Sequence, residues 1–367
     1  MKLIVNLKLQ PTSVQAKALR QTLERANSAC NWISAQGWNT QPLPTLKQFA
    51  LHKLVYHLTK EKFTLTAQMV VRCIAKVADA YKLDKQRQRS FKRHGSIAYD
   101  DRIIRFTKNQ AVNLWTVAGR ETIRFECGDY QRKLLPFRKG EVDLVLRQGN
   151  FYLNAVCDVE EAPQETPQDA LGVDFGVVNI ATDSDGTVYS GAQIEEQRRT
   201  YEHRRANLQK KQTPSAKRKL KQLAGSQQRF QRNENHCLSK AIVQNAKGTN
   251  RAIAIENLKG IRDRITVRRR QRARLANWAF SQLREFIGYK ARWRGVVVYV
   301  VDPRNSSREC SCCSYTDKAN RPNQATFSCK SCGYSTLADF NAALNLRARG
   351  LVNVPNVHVH KASGFTA

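Results

Sequence analysis

The chain has 367 residues, with 62 Lys and Arg against 30 Asp and Glu, a formal net charge of +32, 41% hydrophobic residues and ten cysteines. At roughly 150 residues per domain this length allows two or three domains. The hydrophobic fraction excludes a disordered basic tail, and the lack of any run of about 18 apolar residues excludes a membrane helix. The opening residues are too short and too alternating for a signal peptide, so the expected location is cytoplasmic. There, cysteines serve metal binding or packing rather than a disulfide framework. A positive surplus this large repels itself unless a polyanion offsets it, and nucleic acid is the usual one.

Lys2 to Leu9 alternates apolar and polar residues, which predicts a strand closed by Pro11. From Thr12 to about Arg93 the spacing turns helical, with Ala18, Leu19, Leu23, Ala26, Cys30 and Ile33 on one face and Leu51, Leu54, Val55 and Leu58 on another. Short strands follow at Arg102–Thr107, Ala111–Trp115, Thr122–Glu126, Val142–Arg147 and Phe151–Val156, which favours a small barrel with the helices inserted after its first strand. The acidic, Pro-containing stretch Glu160 to Pro167 marks a domain boundary.

Beyond it, Ala170–Gly176, Asn179–Thr182 and Thr187–Ser190 read as sequential strands. The polar region Ile194–Asn235 reads as helical, and from Arg198 to Glu234 it holds twelve Lys and Arg against two acids. Charge runs are usually solvated faces, but one sign this dominant suits a polyanion at least as well. Ala252–Ile255 reads as a buried strand. A second basic stretch, Lys259 to Arg274, carries eight Lys and Arg and one Asp. A helix from Leu275 to Trp293 then leads to Val296–Val301, whose β-branched run suits a central strand.

Cys310-x-x-Cys313 and Cys329-x-x-Cys332 form two knuckles fifteen residues apart, the spacing of a four-thiolate zinc site. Four thiolates leave no open position, so this zinc is expected to be structural. Cys312 is surplus, although a swap with a neighbour stays open. Cys30, Cys73, Cys127, Cys157 and Cys237 are expected to be packed. Two acids stand at the ends of apolar strands, Asp174 in Leu171-Gly-Val-Asp-Phe-Gly and Glu256 in Ala252-Ile-Ala-Ile-Glu. Carboxylates there need a cleft, a cation or a strand end. For either alone, an arginine partner explains it equally well. Asp339, in Leu337-Ala-Asp-Phe-Asn, would by itself be a first-turn helix acid.

In combination, Gly172-Val-Asp-Phe-Gly with Ile-Ala-Thr-Asp-Ser-Asp-Gly186, Ile253-Ala-Ile-Glu-Asn-Leu258 and Asp339-Phe-Asn-Ala-Ala resemble the three segments of a RuvC-type nuclease domain with the RNase H fold. The knuckles, preceded by Val301-Asp-Pro and Ser306-Ser, and the opening Lys-Leu-x-Pro-Thr-x-x-Gln15 are similar to the TnpB family, transposon-encoded relatives of compact type V CRISPR effectors. The resemblance implies a multidomain α+β and α/β protein. A wedge-type β-barrel would span 1–11 and 95–160, with a helical recognition domain at 12–94. The nuclease domain would span 168–302 and 337–367, with a basic helical lid at 194–240 and the zinc ribbon at 303–336. It further implies catalytic and Mg²⁺-binding roles for Asp174, Glu256 and Asp339, which would hold two ions. One zinc would be bound by Cys310, Cys313, Cys329 and Cys332. The implied partners are a guide RNA and double-stranded DNA with a short flanking motif, with nucleic-acid contacts at Lys210, Lys211, Lys217, Arg218, Lys219, Arg268, Arg269 and Arg270. Two departures are visible: Ser314 follows Cys313 where the family usually has Gly, and Ala338 precedes the third acid where a polar residue is common. The function expected is RNA-guided, two-metal DNA cleavage. The rivals are an RNA-guided repressor without cleavage, a minimal CRISPR effector, a strand-transferring transposase, a plain zinc-ribbon nucleic-acid binder and, on the Gly172 segment alone, an actin-like ATPase lacking its second phosphate loop.

Overall fold

Strand β1 (Lys2–Gln10) turns Val5, Leu7 and Leu9 inward, and Pro11 removes the donor that would continue it. Thr12 then starts helix α1 (Ser13–Trp38) with a reciprocal cap. The Gln15 N–H donates to Thr12 Oγ1 at 3.3 Å, and the Thr12 N–H donates to Gln15 Oε1 at 3.1 Å. The opening motif Thr-x-x-Gln is therefore a helix start. The computed structural model describes residues 1–176, 178–257 and 280–353, which divide into two units between Glu160 and Glu161.

In the first unit, α1 packs with α2 (Gln48–Phe63) and α3 (Ala67–Leu83). Trp38 stacks on Tyr81 and Trp32 meets Phe63 edge-on, so both rings serve packing. The chain returns through β2 (Ile97–Tyr99), β3 (Ile104–Thr107), β4 (Ala111–Thr116), β5 (Gly119–Glu126), the short α4 (Asp129–Leu134), β6 (Arg138–Arg147) and β7 (Asn150–Asp158). The seven strands form one antiparallel sheet in the order β2-β6-β7-β1-β5-β4-β3. Tyr99, fully buried on one end strand, donates its hydroxyl to the Trp115 carbonyl at 2.9 Å, curling the sheet into a nearly closed barrel. The three helices enter after its first strand.

The second unit opens with β8 (Asp169–Asp174), β9 (Asn179–Asp183) and β10 (Val188–Ser190). The polar helical region read from the sequence, Ile194–Asn235, falls on a pair of helices, α5 (Ala192–Lys211) and α6 (Pro214–Gly248). The break falls where Gln212 turns left-handed and Thr213 caps the new helix, with Pro214 at its first position. After β11 (Arg251–Glu256) come α7 (Phe280–Trp293), β12 (Val298–Val301), the hairpin β13 (Thr326–Ser328) and β14 (Ser335–Leu337), and α8 (Ala338–Leu351). The five-stranded sheet runs β10-β9-β8-β11-β12, with β8, β11 and β12 parallel and β9 and β10 antiparallel, as expected of an RNase H-like domain. The run read as a central strand is corrected: among the described residues β12 is an edge, and Val300 is 44% exposed. Its β-branched residues reflect strand propensity rather than burial on both faces.

The two faces of this sheet are built differently. One turns Leu171, Val173, Ile253 and Ile255 onto Leu238, Ile242, Val243 and Ala246 of α6 and Leu283, Ile287 and Ala291 of α7. The other is lined by Ala170, Gly172 and Ala254, small enough for α8 to lie almost on the backbone. A Cβ at Gly172 would stand 2.0 Å from the Ala343 carbonyl oxygen and 2.5 Å from the Arg347 nitrogen, and a Cβ at Gly350 would stand 2.6 Å from that of Ala254. No described helix is long and apolar enough to cross a membrane.

Gly172→Ala therefore has to lift α8. The expected cost is about 1–3 kcal/mol, the usual range for overpacking. It would be read as a lower denaturation midpoint, and a midpoint equal to wild type would show that α8 shifts freely.

Candidate active site and metal centre

Asp174 ends β8 and Glu256 ends β11. These strands are parallel neighbours, with Ile255 registered opposite Val173, so both acids sit at the carboxyl edge of the sheet. Open α/β sheets bind ligands at that edge. Asp339 lies in the first turn of α8, brought to the same edge by the close helix–sheet packing, and a Cβ on Gly176 would be 3.9 Å from its Oδ2. The three predicted acids, far apart in the chain, thus converge.

Two of them are held by donors from elsewhere. Glu256, 9% exposed, accepts from Ser306 Oγ at 2.7 Å. Ser306 is itself fixed by Asn345 of α8, whose Nδ2 donates to the Ser306 carbonyl at 2.8 Å. Asp339 accepts from Asn179 Nδ2 at 3.0 Å and faces Arg321 at 3.6 Å. Sequence reading assigned no role to Ser306, Asn179, Arg321 or Asn345. Ser306 lay inside a matched motif, Asn345 lies two residues beyond Asp339-Phe-Asn-Ala-Ala, and Arg321 carried no signal.

Burial, then the charges of Glu256 and Asp339, push the Asp174 carboxyl well above the usual carboxylate range, while Arg321 draws it back. Burial also raises Glu256, against the Ser306 hydrogen bond and the charges of Arg349 and Arg321. Three acids with one adjacent guanidinium are short of positive charge. An all-oxygen donor set in that condition suits hard divalent cations such as Mg²⁺.

All four predicted cysteine sulfurs, Cys310, Cys313, Cys329 and Cys332, lie within 4.8 Å of one another. Cys310 and Cys332 are 3.7 Å apart and Cys313 and Cys329 3.6 Å, close to the ~3.8 Å edge of a zinc–thiolate tetrahedron with 2.3 Å bonds. Among the described residues no other group of three or more His, Cys, Asp or Glu is this tight, so the three carboxylates stand more widely apart. Cys312 is exposed and outside the cluster. Cys30, Cys73 and Cys157 are packed as expected, Cys127 is half-buried, and Cys237 is exposed on α6. Ser314 adopts φ +62°, the left-handed turn that Gly333 makes at +74° after the second knuckle, so the knuckle geometry survives the departure from Gly. Ala338 is fully buried against Cys310, Phe327 and Cys329, where a longer polar side chain would not fit.

Lys210, Lys211, Lys217, Arg218 and Lys219 are exposed where α5 meets α6 and form no ion pair among the described residues. A groove of about 410 Å³ between the two helices is lined by Leu208 and Leu223 together with Arg204, Asn207, Lys219, Gln222 and Ser226. Arg268, Arg269 and Arg270 lie outside the described residues.

The raised Asp174 carboxyl has a consequence for the metal-free fold. A carboxyl whose folded pKa exceeds its unfolded value supports the fold fully below that unfolded value, and the support is lost as pH rises through the folded pKa. At pH 7.5 in Mg²⁺-free, zinc-replete buffer, Asp174→Asn should raise the melting temperature by roughly 2–4 °C for each kcal/mol of relieved repulsion. The gain should vanish near pH 4. An equal or lower melting temperature at pH 7.5 would contradict the electrostatics described.

Residues 154–262 match the family described as a probable transposase, OrfB_IS605, and residues 280–346 match the Cas12f1-like TNB domain. The chain is 34% identical over 231 residues to the CRISPR-associated endodeoxyribonuclease Cas12f1 of Sulfoacidibacillus thermotolerans, covering 58% of this chain and 51% of that one. It is 28% identical to the putative RNA-guided DNA endonuclease InsQ of Escherichia coli K12, over 55% of this chain and 54% of that one. A TnpB-like protein of Methanocaldococcus jannaschii is 28% identical over 61% of this chain and 85% of its own length. The chain spans about half the length of the Cas12f1 relative. Among solved structures it resembles the Cas12f1–sgRNA–target DNA complex, with a TM-score of 0.57 at 15% identity over 91% of this chain and 82% of that one. It also resembles the mini-RNA-guided endonuclease CRISPR-Cas_phi3, with a TM-score of 0.53 at 10% identity over 97% and 93%. At such identities the likeness is one of fold. Over these two stretches the chain is thus similar to the OrfB_IS605 and Cas12f1-like TNB domains, and to TnpB-like and Cas12f1 proteins.

Proposed function

We infer that the protein is an RNA-guided, Mg²⁺-dependent DNA endonuclease acting in the cytoplasm. The observation that carries this reading is the convergence of Asp174, Glu256 and Asp339 at the strand ends of an RNase H-like sheet, in a chain whose net charge is +32. Two Mg²⁺ ions, when bound there, would activate a water and stabilise the departing 3′ oxygen of a phosphodiester. The residues of the chain prepare that event. Ser306 fixes one oxygen of Glu256, Asn179 fixes one of Asp339, and Arg321 stands at the rim where an entering phosphate would meet it.

The remaining assignments follow from charge and fold. A guide RNA would offset much of the positive charge before DNA arrives, and its heteroduplex with the target strand would be held through backbone and shape. The barrel at 1–11 and 95–160 and the helices at 12–94 would read a short flanking duplex. The cationic end of the α5–α6 hairpin, within the 194–240 lid, would contact phosphates. The nuclease domain would comprise 168–302 and 337–367, and the ribbon at 303–336 would carry one structural Zn²⁺. The Cas12f1 relative keeps a second reading in view, that of a minimal CRISPR effector using the same site.

With guide RNA, target DNA and Mg²⁺, Asp174→Ala and Glu256→Ala should each reduce cleavage to background while a gel-shift assay still shows target binding. Full cutting by either variant would remove that residue from the reaction. Cys329→Ser should lose zinc, measured per chain by mass spectrometry, and melt at a lower temperature. Unchanged zinc content and melting temperature would refute the structural ribbon.

A further inference from the structure

Thr182 lies directly opposite Asp174 in the antiparallel pairing of β8 with β9. Residues so paired project from the same face of a sheet, with Cβ atoms about 4.5–5.5 Å apart. That face is the one covered by α8, because Gly172, two residues before Asp174, has its Cβ direction blocked by the α8 backbone. Thr182 is 1% exposed, and its hydroxyl oxygen is buried without a hydrogen-bond partner. Leaving a hydroxyl in that state is unfavourable.

The carboxylate opposite is in a complementary condition. Glu256 has Ser306 and Asp339 has Asn179, but no described residue donates a hydrogen bond to Asp174. An unsatisfied donor and an unsatisfied acceptor therefore share one face of one strand pair. Rotation about the Thr182 Cα–Cβ bond is the adjustment by which the hydroxyl would turn towards the carboxylate.

We propose that Thr182 is the positioning residue for Asp174, donating its hydroxyl hydrogen to the carboxylate oxygen that does not face the cation and so fixing the orientation in which Asp174 binds a divalent ion. This rests on the reading of the three acids as a metal centre. It completes a pattern in which each acid has its own neutral donor: serine for Glu256, asparagine for Asp339 and threonine for Asp174. Partners of this kind typically change metal affinity by about 10–100-fold when removed.

The test uses the full chain, zinc-loaded and free of RNA, titrated with Mn²⁺ and followed by electron paramagnetic resonance. Wild type should show a bound-Mn²⁺ component that Asp174→Asn removes. Thr182→Val, which keeps the shape and deletes the hydroxyl, should weaken that component about tenfold or more. Thr182→Ser should restore most of it. The metal-free melting temperature of Thr182→Val should equal or exceed that of wild type, since an unpartnered hydroxyl has been removed, whereas a purely structural hydroxyl would give a lower one. Thr182→Ala serves the same purpose should valine disturb the fold. Wild-type Mn²⁺ affinity in Thr182→Val, or a serine variant as weak as valine, would overturn the role of Thr182 while leaving the metal centre standing. Absence of any Asp174-dependent Mn²⁺ binding in wild type would overturn the metal centre and Thr182 with it.

Discussion

The site depends on how closely α8 approaches the sheet. Helix and strand backbones ordinarily keep a layer of side chains between them, but here Gly172, Gly350, Ala170 and Ala254 remove that layer. This brings Asp339, in the first turn of the helix, to the strand-end acids. The same helix also carries the fastening for the ribbon. Asn341 Nδ2 donates to the Glu309 carbonyl, Asn345 Nδ2 donates to the Ser306 and Glu309 carbonyls, and the Ser311 N–H donates to Asn341 Oδ1. One packing arrangement thus places the third acid, the donor to the second acid and the first zinc knuckle. The ribbon is in this sense part of the acid site's framework, since its residues Ser306 and Arg321 reach the carboxylates while its sulfurs do not.

The electrostatics of the site run against the rest of the chain. A protein with a twofold excess of cationic side chains could easily have neutralised three acids with arginines, yet one guanidinium, Arg321, stands beside Asp339 at 3.6 Å. The contrast lies at the opposite end of the same two strands, where Asp169 begins β8 and Arg251 begins β11. Asp169 is paired by Arg347 and Asp185 by Arg251, and the Asp185 carboxyl is held below its usual range chiefly by the Arg251 hydrogen bonds. Asp169 and Asp185 are neutralised, and the converging three are left under repulsion. That contrast is what the proposed cation site rests on, since perturbed carboxyls gathered at one edge are more often functional than structural.

The sequence made the strands and two of the acids readable because an acid ending an apolar strand breaks a strong local pattern. Asp339 had no such contrast and became interpretable only through its motif neighbours. The donors were harder still: Ser306 reaches Glu256 across 50 positions and Asn179 reaches Asp339 across 160, and no periodicity records such pairings. The cysteines were the opposite case, since a knuckle is a local turn and its spacing is its geometry. The misreading of β12 has the same root. A β-branched run reports strand propensity, while central or edge position depends on strand order, which is set by the crossovers. Helix α6 changes character along its length, polar in its first half and with an apolar buried face in its second.

That division of α6 has a mechanical meaning. Its second half is rooted in the core through Leu238, Ile242, Val243 and Ala246, and Lys290 of α7 donates to Ser239 Oγ at 2.7 Å across the junction. The whole helix, root included, has 35 residues and is about 50 Å long at 1.5 Å each. In the first half only Ala216 is buried, and α5 has no buried residue. The cations Lys210, Lys211, Lys217, Arg218 and Lys219, without ion pairs among the described residues, therefore sit at the far end of a lever. The lever's base lies against β8 and β11, the two strands that end in Asp174 and Glu256. A polyanion gripped at the hairpin would consequently be registered against the acids through continuous helix and sheet.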